Sequence, residues 1–339
     1  MTIGLMALAP RSPTGLWTVT GLCVAAWTIW SGVITLRTGV WRANYHRSYR
    51  ARVAGKLSTV HVLIIAAVGA LIGFSLDIDP MTYRVLFPAL AAIGAIGALF
   101  YGRVPFRRHK QHLLAERQTH RNERPSLNPL AIARVLSSDR PLSAYMACMF
   151  MMGLGNLMIH APLVIVLTDQ FHVGYQTGIA ITTIIPLVCM TLVIPFWGQL
   201  LQRLHIVRFR AIHGWTFVTA SVLVWVGAAV DQLALLYLAA VAIGVGWGGG
   251  VLAWNLGHQH FAPPKRDAEY MGVHVTLTGI RGLLGPLLAV EIYRWLAPAG
   301  WGSGVFVICA ICNLIGIIGF IFLARRVPQV TQHKARDGA

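Results

Sequence analysis

The 339 residues are 56% hydrophobic and only 12% charged, with a mean hydropathy of +0.64, a balance that excludes an ordinary soluble domain and fits a chain crossing a bilayer several times. The net charge of +17 would in a soluble protein point to nucleic acid, but the basic residues lie between apolar runs rather than along an aromatic-studded face, which excludes that partner. All five cysteines lie inside apolar runs, where a thiol behaves as a small hydrophobe, so no disulfide framework is expected.

From the N-terminus, Met1 to Pro10 has no basic segment and too short an apolar one to act as a secretory signal. Runs long enough to cross a bilayer, which takes about 20 apolar residues, follow at 16–36, 57–76, 84–102, 142–168, 176–200, 210–230, 233–255, 271–294 and 302–324. Such runs lack the alternation of barrel strands, and backbone in lipid must satisfy its own hydrogen bonds. The expectation is an all-α polytopic membrane protein of about nine transmembrane helices. The long polar stretch 103–140, with nine Lys or Arg against Glu116, Glu123 and Asp139, separates three of these helices from six.

Counting Lys and Arg orients the chain. Residues 37–56, 103–140, 202–210, 257–270 and 325–339 hold 24 of the 28, all on one side; the other side holds Arg11, Arg84 and Arg294, and Arg281 stays inside a span. This asymmetry places the 103–140 loop and the C-terminus in the cytoplasm of a cell-membrane protein. Arg42, Arg47, Arg50, Arg52, Arg107 and Arg108 are then expected to fix topology and touch anionic lipid head groups.

The basic loops carry an internal repeat. Asn44 to Thr59 matches Phe261 to Thr276 in pattern, pairing Gly55 with Gly272 and Thr59 with Thr276, 217 residues apart and entering from the same side. Same-orientation repeats separated by six spans are the arrangement of two parallel six-helix halves. A second motif follows the span at 176–200: Gly198, Leu200, Arg203 and Arg208 match the signature Gly-x-Leu-x-Asp-Arg-x-Gly-Arg-Arg, with Gln202 in place of the acid and the second glycine absent.

In these features the chain resembles the major facilitator superfamily. The resemblance implies an MFS-type helical bundle and transport of a small solute by an alternating-access secondary carrier. It divides the chain into a partial N-terminal half at 1–102, equivalent to helices four to six, a cytoplasmic loop at 103–140, a complete C-terminal six-helix half at 141–325 and a cytoplasmic tail at 326–339. On this reading the first three helices are missing, residues 3–9 resemble the outer end of the third, and Met1 is an internal start; such a truncated form is expected not to transport on its own.

Polar residues within spans are costly and mark candidate sites. Arg281 lies about ten residues into its helix, and His274, Thr278, Arg281 and Gly285 follow at helical spacing on one face. That stripe either lines a solute cavity, favouring an anionic solute, or acts as a lock in which Arg281 donates to helix carbonyls or to an acid of the missing helices. Asn156 and His160, four apart and followed by Pro162, are the second cavity candidates, with bonds to neighbouring helices as the alternative. Pro162 is expected to kink the helix just past His160. Histidine also suits proton coupling near neutral pH. Glu291 and Arg294 are spaced to pair locally. The glycine run 244–250 lies inside a span and lacks the Lys and Ser or Thr of a phosphate loop, so it points to close helix packing. The histidines at 109, 112, 120, 258 and 260 are too scattered for a metal site, and neither a cofactor nor catalytic residues are expected. Two other readings stay open: a non-transporting membrane scaffold or receptor that docks partners through 103–140, and a membrane-embedded metalloenzyme.

Overall fold

The computed structural model describes residues 2–10, 12–44, 47–105, 110, 114, 129–262 and 267–326, and every element among them is helical. Much of the 103–140 stretch, including Arg107 and Arg108, all of the tail from 327, and Pro263 to Arg266 of the repeat lie outside the described residues. The chain forms two compact units, Met1–Arg124 and Pro125–Ala339.

In the first unit a short helical turn, Thr2–Leu5, leads into a 3-10 turn, Met6–Leu8, and then into α1 (Pro13–Asn44), α2 (Arg47–Ile78) and α3 (Tyr83–Gly102). In the polar segment 37–56, read from sequence as a loop, the described residues 37–44 and 47–56 are helical. Both long helices overrun the bilayer, because 32 residues at 1.5 Å each reach about 48 Å against a core of about 30 Å. Asn44 Nδ2 donates to the Pro105 carbonyl at 2.8 Å and ties the end of α1 to the chain leaving α3.

The second unit opens with an element that the charge count concealed. Within the expected loop lies a short helix, α4 (Pro129–Ser138), whose Ile132, Val135 and Leu136 fall at helical spacing and pack on the core. Six long helices follow: α5 (Arg140–Gln170), α6 (Tyr175–Arg203), α7 (Ile206–Ala229), α8 (Leu233–Leu256), α9 (Asp267–Leu296) and α10 (Gly304–Arg326). Together with segments of α2 and α3, eight helices among the described residues are long and apolar enough to cross a membrane; the span expected at 16–36 falls within α1.

Two apolar clusters fill this bundle. One, at the basic end, gathers Tyr145, Met149, Trp197, Phe209 and Phe320; the other gathers Ile159, Leu163, Val224, Ile243 and Phe306. With no difference in polarity between lipid tails and leucine, such helices associate through close packing and interhelical bonds. The glycine run on α8 serves two neighbours: a Cβ at Gly248 would lie 3.1 Å from the Met190 carbonyl of α6, and one at Gly246 2.7 Å from Phe217 of α7. Trp197 Nε1 donates to the Val245 carbonyl at 2.9 Å across the same seam.

Prolines set the irregularities. The helix of α5 is interrupted at Ile159, before His160 rather than past it, because the ring of Pro162 clashes with the carbonyl four residues earlier, that of Met158. In α6 a π turn, Ala180–Ile184, precedes Pro186 and absorbs its missing N–H. At the non-basic end the connections turn through left-handed residues, His172 (φ 49°), Asp231 (φ 55°) and Gly300 (φ 76°), the last needing glycine's freedom. Glu291 Oε1 accepts from Arg294 Nη1 at 3.1 Å there, as their spacing predicts.

Candidate functional site

A cavity of about 300 Å³ opens inside the second unit. Two helices supply full faces to it, each at the spacing of consecutive helical turns: Met149, Met152, Gly153 and Asn156 from α5, and Trp247, Gly250, Val251 and Trp254 from α8. Met190 of α6, Arg210 and Phe217 of α7, and Arg281 of α9 complete the wall.

Two arginines on an otherwise apolar wall define its chemistry. Arg210 is 2% exposed and Arg281 8%. Arg281 donates through Nη1 to the Met149 carbonyl and through Nη2 to Thr278 Oγ1 at 3.2 Å, and its Nε has no partner. Gly153 permits this approach, since a Cβ there would meet the guanidinium, with Nε only 2.7 Å away. Arg281 is thus both a cavity cation and the tie to a helix carbonyl that its depth suggested.

Arg210 has the phenol of Tyr145 as an electrostatic neighbour, and its Nε has no hydrogen-bond partner. Among the described residues neither arginine is paired with a carboxylate. Burying two cations without a counter-charge is expensive, and the cost falls when an anion sits between them.

Thr278 links cation and wall. Its Oγ1 donates to the His274 carbonyl at 2.8 Å and accepts both from Arg281 and from Trp254 Nε1, the latter at 3.4 Å. Asn156 lies on the wall with a buried Oδ1 that has no partner.

The two histidines lie against the wall rather than on it. His274 is 1% exposed, with both ring nitrogens unpartnered and its ring 5.7 Å from that of Trp254. His160 packs 5.5 Å from Trp247.

Of the motif residues, Gly198 faces Leu252 at 3.9 Å, Leu200 packs on the core, Arg203 ends α6 exposed and Arg208 is half-buried in the first turn of α7. They frame a two-residue connection in which His205 caps α7, its Nδ1 accepting from Val207 N–H at 3.3 Å. Gly272 is exposed on α9; Gly55 lies in α2 and its surroundings lie outside the described residues.

Arg210, Tyr145 and the two tryptophans are the site residues that sequence reasoning missed. Arg210 was counted with the loop 202–210, yet α7 starts at Ile206 and carries it inside. Its spacing of three to His213 and seven to Phe217 on one helical face was the available signal.

No curated protein matches the chain. The sequence model of the Major Facilitator Superfamily matches residues 1–286, most of its length. By that match, and with eight described helices apolar and long enough to cross a membrane, the chain belongs to the Major Facilitator Superfamily and is a multi-pass membrane transporter of that type.

Proposed function

We propose that this transporter carries a small anionic solute by alternating access, and that the solute sits between Arg210 and Arg281. The single observation behind this reading is the pair of buried guanidiniums on one cavity with no described carboxylate beside them. A binding-competent cavity in a transporter bundle normally leaves such charge for its ligand. The basic loops support a cell-membrane orientation with 103–140 and the C-terminus in the cytoplasm. The segment 1–102 is read as a partial first half and 141–325 as a complete second half, which holds this cavity, joined by 103–140 and followed by the tail 326–339. Proton coupling is assigned to His274, whose buried, unpartnered imidazole shares the helix of Arg281.

The test is equilibrium binding of labelled monocarboxylates, dicarboxylates and inorganic phosphate to the purified chain. Binding of at least one anion, weakened tenfold or more in Arg281→Gln and in Arg210→Gln, is expected. Binding indifferent to both substitutions, or no binding of any of these anions, would remove the anion seat.

A further inference from the structure

We infer that the ligand of this cavity is an organic anion that joins one carboxylate-like group to a compact aromatic body, and not a fully polar anion such as phosphate. The inference rests on the anion reading above and adds the nature of the rest of the molecule. Beyond the two arginines and Asn156, what the walls offer is Phe217, Trp247, Trp254 and three methionines. Arg210, Arg281 and Asn156 occupy only part of the wall, so a phosphate or short dicarboxylate held by them would turn its remaining oxygens toward apolar side chains and lose water there without replacement. An aromatic ring needs no such replacement, and is favoured by indole and benzyl neighbours.

Size agrees with this class. About 300 Å³ is roughly ten water volumes at about 30 Å³ each, room for a single substituted ring with its acid group. Met149, Met152 and Met190 are unbranched and polarizable, so the wall adapts to differing ring substituents. The two halves of the recognition are joined by Thr278, whose hydroxyl holds Trp254 Nε1 and Arg281 Nη2 at once. Losing that hydroxyl should therefore weaken recognition of both charge and ring.

The experiment is equilibrium binding of labelled benzoate to the purified full chain in detergent, with acetate, inorganic phosphate and benzyl alcohol as competitors. Benzoate should bind, and each competitor should be at least tenfold weaker, because each lacks the ring, or the single charge, or any charge. Thr278→Val, which keeps the shape of the side chain, should weaken benzoate about tenfold and weaken benzyl alcohol as well, because the same hydroxyl holds the ring's neighbour Trp254. Trp254→Phe should weaken benzoate but not phosphate. Acetate or phosphate competing as well as benzoate would overturn the inference while leaving the anion reading intact. Benzyl alcohol competing as well as benzoate, or benzoate binding unchanged in Arg210→Gln and Arg281→Gln, would overturn both. Absence of benzoate binding, with phosphate bound, would also reject the aromatic class.

Discussion

Replacing Arg210 with methionine should make the empty protein more stable and abolish its response to anions. Arg210 is 2% exposed, its Nε has no hydrogen-bond partner, and no described carboxylate pairs with it. Removing a cation from water costs several kcal/mol, and the phenol of Tyr145 is a weak counterweight. Methionine has similar length, fills the space and carries no charge. Exchanging buried ionic groups for apolar ones of like volume is neutral to stabilising by about 1–4 kcal/mol, and Arg210 should fall in the upper part of that range because it has no ion-pair energy to lose. Arg281→Met should gain less, since it forfeits the charge-assisted bond to the Met149 carbonyl, itself worth about 1.5–3 kcal/mol. A ligand acts the other way: at about one hundred times its Kd it stabilises the wild type by about 2.7 kcal/mol and leaves the variant unmoved. The assay is thermal unfolding in detergent, in buffer free of organic anions and then with benzoate added. The variant should melt above the wild type in the first condition, and the gap should close in the second. An Arg210→Met protein that melts below the wild type without anion would show that the cation is structural, and would refute the argument that its charge awaits a ligand.

Ser221 Oγ accepts from Asn313 Nδ2 at 3.1 Å between α7 and α10, with both residues fully buried and Asn313 Oδ1 already unpartnered. Ser221→Ala should cost about 1 kcal/mol, and Asn313→Val added to it should recover most of the loss; a double variant less stable than the single one in thermal melts would contradict this. At the basic end, outside the spans, the rings of His205 and His260 stand 4.9 Å apart. Burial first, then the neighbouring His260 and Arg208, lower the pKa of His205 to about 4, and burial lowers that of His260. For a base so depressed, the unfolded chain takes up protons first; stability is therefore full above 6.5 and falls as the pH drops from there toward about 4. His205→Asn keeps an acceptor for Val207 N–H and should flatten this acid dependence; parallel pH profiles for the two proteins would exclude the pair as its source.

How much was legible follows from which forces are local. Membrane-length helices are a property of composition within one window, so runs such as 233–255 and 302–324 reappear as α8 and α10 with edges moved by a residue or two. Polar stretches were read less well, because charge counting treats every basic residue near a span as solvated. In 103–140 the charges hid Ile132, Val135 and Leu136, whose burial makes α4. Around 202–210 the same counting put Arg210 in water, whereas the cap at His205 starts α7 early enough to carry it inside.

The site shows the same division between local and nonlocal causes. Arg281 could be singled out because depth alone makes a cation exceptional. His274, although on the same stripe, lies seven residues away, about 10 Å along the axis, and so meets Trp254 instead of the cavity. Asn156 and His160 were paired by a spacing of four, and Ile159 between them keeps helical angles; Asn156 lies on the wall, while His160, one turn further along the axis, packs against Trp247. Arg210 becomes part of the site only because α5 brings Tyr145, and α9 brings Arg281, to the same space. No window of sequence contains that meeting. It also explains why the anion reading is stronger for two arginines than for one. A single buried cation can be settled by a carbonyl, as Arg281 is by that of Met149, but a second in the same cavity adds repulsion that no carbonyl removes and that an anion does.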